Sequence, residues 1–234
     1  MSQVSQVSSL NNDINFDYNF GNYNPNDVSV EETINAVFVI DTSSSIHPHV
    51  QDLNANLNDF IERMQKSHIA DKLFVSQVEF NSQVHVEHGF KPISELGHVD
   101  LSPRVGGTTA LYKAVETALQ NAINYRKDLE NVGVNCKTLL FVMTDGENNE
   151  PGEASAVKSI IDNFLVDEKN ILSFQSILFG MGNSAKFEAA QKDMGIANLA
   201  KVGTTADEIR KMITFISSSI TSASSGQAMS TPNF

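Results

Sequence analysis

Residues 33–49 read TINAVFVIDTSSSIHPH, and the abrupt change within this stretch decides the fold. A nearly continuous apolar run that ends in Asp41 and a cluster of hydroxyls reads as a strand buried on both faces, opening into a polar turn. Such strands belong to parallel sheets covered by helices on either side, so a helix should follow. Val50, Leu53, Leu57, Phe60, Ile61 and Met64 recur at helical spacing directly after it.

The alternation continues outward. LFVSQVEF and QVHVE flank an Asn-Ser pair and read as a strand with a short hairpin partner. A Gly- and Pro-containing connection leads to a helix carrying Leu111, Val115, Ala118, Ala122 and Tyr125 on one side. KTLLFVMT reads as another apolar strand, and Val157, Ile160, Ile161 and Phe164 mark the helix after it. ILSFQSILF is a further strand, followed by a short helix from about Ser184, a weaker strand at NLAKV and a last helix from Thr205 to about Ser222. The expected fold is α/β: a doubly wound, mostly parallel sheet with one short antiparallel edge strand and helices on both faces. Ligands of such sheets sit at the carboxyl ends of the strands, near the point where strand order reverses.

Three segments differ in composition. Residues 1–32 form an arm rich in asparagine and without a basic residue, residues 33–223 the α/β domain, and residues 224–234 a flexible tail. Within the arm, Ile14, Phe16, Tyr18 and Phe20 alternate with polar residues, the period of a half-buried strand, and would pack on this domain or on a neighbour.

Charge and cysteine usage narrow the function. The formal net charge is −12 and no Lys or Arg precedes Arg63, so phosphate backbones would be repelled and a nucleic-acid partner is not expected. No apolar run approaches the roughly 18–20 residues that cross a bilayer, and no secretory signal is visible at the N-terminus. The lone Cys136 has no internal disulfide partner, which fits a reducing, cytoplasmic setting, and reads as a small buried residue at a strand start.

The expected strand ends gather oxygen donors. Asp41, Ser43 and Ser45 follow the first strand, Thr108 and Thr109 follow a glycine pair, and Asp145 lies in the TDGE turn after KTLLFVM. Each piece alone is an ordinary helix cap or turn signal. Taken together, Asp41, Ser43, Ser45, Thr108 and Asp145 give two carboxylates and three hydroxyls, which suit Mg²⁺, or Mn²⁺ or Ca²⁺, ions that prefer oxygen ligands. Two carboxylates neutralise the ion, and neutral hydroxyls complete the shell without excess charge.

On these residues the sequence resembles the von Willebrand factor A (VWA) domain family, whose metal-ion-dependent adhesion site is D-x-S-x-S, then Thr, then Asp. The matching positions are Asp41, Ser43 and Ser45, Thr108 in GGTTAL, and Asp145 in VMTDGE. Thr108 is preferred over Thr109 because the family's ligand follows the glycine pair directly. The resemblance covers roughly residues 33–223 and implies a Rossmann-like fold. It also implies serines and Thr108 on the metal, aspartates orienting the shell, and a protein partner whose Asp or Glu completes the coordination. The stretch ITFISSSITSASS further resembles the stand-alone intracellular TerY-like group of tellurite-resistance and stress operons.

Other chemistries are less well served. GMGNSA matches G-x-G-x-x-A but lies late in the chain, without an acidic strand end about 20 residues on, and no P-loop occurs. An aspartyl-phosphate mechanism of the common type needs a second acid two residues after Asp41, where Ser43 stands. No G-x-S-x-G elbow is present, and no histidine is clearly paired with a serine. His47 and His49 flank Pro48 beside the expected site, and Glu147 falls on its rim. The expectation is a non-catalytic, metal-dependent interaction module with no catalytic residues. The alternatives are a structural subunit of a stress-operon or phage assembly that uses the arm, and, behind it, a metal-assisted phosphohydrolase.

Overall fold

The computed structural model describes residues 20–182 and 186–227. The elements run β1 Glu32–Asp41, α1 Val50–Gln65, β2 Leu73–Phe80, β3 Val84–Pro92, α2 Leu111–Asn131 and β4 Asn135–Thr144. They continue with α3 Ala154–Phe164, α4 Glu168–Ser173, β5 Phe174–Met181, α5 Phe187–Met194, β6 Asn198–Val202 and α6 Ala206–Ser224. The strands form one sheet in the order β3-β2-β1-β4-β5-β6. Only β3 is antiparallel to its neighbour; β1, β2, β4, β5 and β6 pair in parallel.

The apolar run Ala36–Ile40 of β1 follows from its place at the centre. Ile34, Ala36, Phe38 and Ile40 point to the side covered by α1 and α6, where Leu53, Leu57, Met212 and Ile216 meet them. Val37 and Val39 point to the other side, against α2 and α3 through Ala114, Ala118, Val157 and Ile161. β4 divides in the same way, with Leu139, Phe141 and Met143 on one face and Leu140 and Val142 on the other. Successive residues of a strand face opposite ways, so only a strand with helices on both sides tolerates such a run. β1 leads outward to β2 and β3 on one side, and β4 leads outward to β5 and β6 on the other. The strand order therefore reverses between the carboxyl ends of β1 and β4, which is where doubly wound sheets open a crevice.

Several elements differ from the sequence expectation. Ile171 and Leu172 belong to the helix α4, not to the strand, and are 56% and 85% exposed. Asp167 starts that helix by accepting a hydrogen bond from Lys169 N at 3.1 Å, a local cap that outweighs the apolar look of the segment. β3 runs beyond QVHVE to Pro92, because a register shift opposite Ser76 lets the pairing pass Gly89. α6 begins at a reciprocal cap in which Glu208 N donates to Thr205 Oγ1 and Thr205 N donates to the Glu208 carboxylate. Gly180 is needed for contact: a Cβ there would sit 2.3 Å from the Phe187 ring, so α5 closes directly on β5. Cys136 is buried near the start of β4, where burial pushes its thiol up from the ordinary range.

The alternating Ile14, Phe16 and Tyr18, the expected helix start at Ser184, Ala185 of the glycine motif and the chain beyond Gln227 lie outside the described residues. Among the described residues, no helix is long and apolar enough to cross a membrane.

Candidate metal centre

The polar end of β1 is held by hydrogen bonds that have nothing to do with starting a helix. Asp41 is fully buried. Its Oδ1 accepts from Ser43 N at 2.8 Å, and its Oδ2 accepts from Thr144 Oγ1, at the end of β4, at 2.5 Å. Ser43 Oγ lies 3.1 Å from Ser45 Oγ, and Ser45 Oγ donates to Asp145 Oδ1 at 2.7 Å. Ser43 precedes the 3-10 turn Ser44–Ile46 and His49 precedes α1, yet neither side chain caps the helix it precedes. The hydroxyls thus face the strand ends, and Asp41, Ser43 and Ser45 form one chain of contacts across the switch point with Asp145, 100 residues beyond Ser45.

The glycine pair brings the third segment in. Gly106 N donates to Thr42 O at 2.9 Å, while Gly107 O accepts from Ser44 N at 3.1 Å and from Ser44 Oγ at 2.9 Å. Gly107 has φ +75°, and a Cβ there would sit 2.9 Å from Ser82 Oγ, so conformation and space both call for glycine. A strut stands behind this loop: Arg104 Nε lies 2.9 Å from the buried Glu79 carboxylate, Arg104 Nη2 donates to Glu87 at 2.7 Å, and Arg104 O accepts from Asn81.

The structure departs from the sequence reading at the threonine. Thr108 is exposed, and its hydroxyl donates to the Glu150 carboxylate instead of joining the cluster. Thr109 is buried, and its Oγ1 borders Gly146 together with Ser45 Oγ; a Cβ on Gly146 would meet the two at 3.4 and 4.0 Å. Asn149 holds Thr109 in place, its Oδ1 accepting from Thr109 N at 2.7 Å and its N–H donating to Thr109 O at 3.0 Å. GGTT presents two adjacent hydroxyls, and which one turns inward depends on how the loop is tied to its neighbours. The motif spacing carries no signal for that choice. Asn149 and Thr144 were not singled out from sequence either, since an Asn in a turn and a Thr at a strand end are commonplace.

The electrostatics of the cluster favour a cation. Burial pushes the Asp41 carboxyl up to about 6, against the hydrogen bonds from Thr144 and Ser43, and the nearby Asp145 adds to the rise. Asp145 is also raised, again by burial, with Ser45 and His49 acting in the other direction. Glu147 on the rim is paired with Lys186. Among the described residues, no three His, Cys, Asp or Glu side chains cluster as a metal site. An ion here would therefore rest on two carboxylates supplemented by hydroxyls, a donor set that suits hard divalent cations. Two desolvated carboxylates tied into one cluster are what such a cation would compensate.

The family model of the von Willebrand factor type A domain matches residues 35–164, more than half of the chain. The chain belongs to the von Willebrand factor type A domain family. Solved VWA-like structures share its fold. The pilus adhesin SpaC from Lactobacillus rhamnosus GG, in its open conformation, aligns with TM-score 0.59 and 13% identity, over 82% of this chain and 30% of SpaC. Proximal thread matrix protein 1 from the mussel byssus, in a form with a zinc-occupied MIDAS motif, aligns with TM-score 0.52 and 16% identity, over 81% of this chain and 46% of that protein. BatB from Bacteroides thetaiotaomicron aligns with TM-score 0.51 and 15% identity, over 79% of this chain and 98% of BatB. This chain spans less than half the length of SpaC and of the thread matrix protein. No curated protein sequence matches the chain.

Proposed function

We propose that this VWA chain is a non-catalytic interaction module that engages a carboxylate of a protein partner through a divalent cation. The observation that carries the reading is the contact chain Asp41–Ser43–Ser45–Asp145, built from two buried or half-buried carboxylates with raised pKa values. Mg²⁺ is the ion we favour, with Mn²⁺ and Ca²⁺ close in chemistry. Ser43, Ser45 and Thr109 would present their hydroxyls to it, while Asp41 and Asp145 orient those hydroxyls and supply the compensating charge. Thr109 takes the part that motif spacing assigns to Thr108, whose hydroxyl is turned to Glu150. A bound ion offers a Lewis-acidic position to an incoming Asp or Glu oxygen. The serine hydroxyls are engaged with carboxylate and with each other, not with an imidazole base, which supports binding over catalysis. The zinc-occupied motif of the byssus protein is a precedent in the same fold for a divalent ion. A cytoplasmic setting, argued from the lone Cys136, belongs to this proposal as well.

The test is calorimetric titration of the chelator-treated protein with MgCl₂ and MnCl₂. Saturable binding is expected, lost in Asp145→Ala, weakened at least about tenfold in Thr109→Ala and little changed in Thr108→Ala. A tenfold change corresponds to about 1.4 kcal/mol. Partner capture that survives both EDTA and Asp145→Ala would overturn metal-mediated binding. Turnover of phosphate esters that vanishes in Ser43→Ala would point to an enzyme instead.

A further inference from the structure

The segment between β4 and α3 belongs to neither element, yet contacts hold it along its length. At its start, Asp145 accepts from Ser45 Oγ at 2.7 Å, and a Cβ on Gly146 would meet Thr109 Oγ1 at 3.4 Å. In its middle, Asn149 is bonded to Thr109 through both its side chain and its backbone, and the Glu150 carboxylate accepts from the Thr108 hydroxyl. At its end, a Cβ on Gly152 would meet Tyr112 Cβ at 3.5 Å and Lys113 N at 3.6 Å. Residues 145–152 are therefore a strap that starts in the oxygen cluster and finishes on the first turn of α2.

The helix relies on this strap for its cap. Ala110, the residue before α2, makes no side-chain hydrogen bond to the first turn, whose amides lack acceptors within the helix. Asn148 supplies an acceptor from outside: its Oδ1 takes a hydrogen bond from Tyr112 N at 3.2 Å. Its Nδ2 donates to Glu150 O at 2.6 Å, which fixes the side chain within the strap. Both of these bonds lead away from Asp41, Ser43, Ser45 and Asp145.

We propose that the strap couples ion occupancy to the first turn of α2, with Asn148 as a positioning residue that touches no ion ligand. An ion resting on Asp145 and Thr109 would anchor the strap directly at Asp145 and, through Thr109, at Asn149, on either side of Asn148. The coupling is reciprocal: an ion makes the Asn148–Tyr112 cap more persistent, and the intact cap makes the ion bind more tightly. Asn149 is exposed and Asn148 and Glu150 are half-buried, so a partner can reach the strap and adjust ion affinity without touching the ion. The inference rests on the metal reading of the cluster, and the experiment separates the two.

Mn²⁺ binding is followed by the electron paramagnetic resonance signal of the free ion, and exchange of the Tyr112 amide by NMR with and without MgCl₂. In the parent protein, saturating Mg²⁺ should slow that exchange at least about fivefold. Asn148→Ala should weaken Mn²⁺ binding at least about fivefold and abolish the effect of Mg²⁺ on the amide. Asn148→Asp keeps an acceptor for Tyr112 N and should retain the Mg²⁺ protection; its loss there would overturn the role of the cap. Asn58→Ala, which removes an asparagine of α1 bonded to Val99, should lower stability and leave Mn²⁺ affinity within about twofold. Equal weakening in Asn58→Ala and Asn148→Ala would reduce the effect to general stability and overturn the proposal. Tyr112 exchange indifferent to Mg²⁺ in a parent that binds the ion would overturn the coupling alone, as would parent-like Mn²⁺ affinity in Asn148→Ala. A parent that binds neither ion would overturn the metal reading, and this inference with it.

Discussion

At Asp41, burial and hydrogen bonding pull in opposite directions. Burial favours the neutral acid, the donors Thr144 Oγ1 and Ser43 N favour the carboxylate, and burial prevails, placing the group at about 6 in place of the ordinary 3.8. In metal-free protein the folded state therefore holds the proton more tightly than the unfolded chain between those two values. Stability is greatest below the unfolded pKa and falls as pH rises through the folded one, by about 3 kcal/mol for a shift of about two units. Urea unfolding in EDTA at pH 4 and pH 7.5 should show that loss relative to Asp41→Asn, in which the titration is removed. Saturating Mg²⁺ should restore stability at pH 7.5 in the parent protein and leave the variant unmoved. Equal pH slopes in the two proteins would remove this account of Asp41.

Among the elements, the Gly106–Gly107 loop decides the geometry of the centre. It is bonded to the Thr42–Ser44 turn by Gly106 N and Gly107 O, and it is backed by the Arg104–Glu79 strut. Gly107→Ala would impose a side chain on a left-handed residue and press it against Ser82, at a cost of about 1–2 kcal/mol. Because Thr109 lies two residues on, the same variant should bind Mn²⁺ more weakly, whereas Gly97→Ala, with nothing within 4 Å of its new Cβ, should match the parent in both respects. Calorimetry and denaturant midpoints measured on the two variants decide this. The elements most open to reading from sequence were those with long, one-signed patterns: β1, β4, α1 and α2. α4 escaped notice because a six-residue helix has too few turns to show a period, and its start depends on the single cap at Asp167.

Over the whole molecule, one sheet with two apolar faces joins the centre to the core. Phe141 sits in the middle of β4, fully buried, with ring centroids 5.5 Å from Phe38 and 6.5 Å from Phe179. Phe141→Ala should cost about 3–5 kcal/mol, since a cavity there is enclosed by strands that cannot collapse into it. Leu172→Ala, on the exposed side of α4, should change stability by no more than about 0.5 kcal/mol. Guanidinium unfolding of both variants tests whether the sheet centre carries the stability of the fold. The parallel pairing of the neighbouring strands β1 and β4 then explains why Asp41, at the end of β1, and Asp145, just past the end of β4, come together.

By itself, the sequence determined the α/β alternation, the burial of β1 on both sides, and Asp41, Ser43, Ser45 and Asp145 as a candidate oxygen cluster, because these follow from residue type and spacing within each segment and from the position of each segment at an expected strand end. The tertiary structure turned Thr109 inward and the Thr108 hydroxyl toward Glu150, since adjacent residues of an extended loop face opposite ways and the ties of Gly106, Gly107 and Asn149 orient them. Tertiary structure likewise set the attachment of Phe20–Tyr23 to β3, which needs a bulge at Gly89 and an asparagine on a distant helix. Period and composition are local quantities. The direction in which a side chain faces a neighbour far along the chain depends on the packed whole.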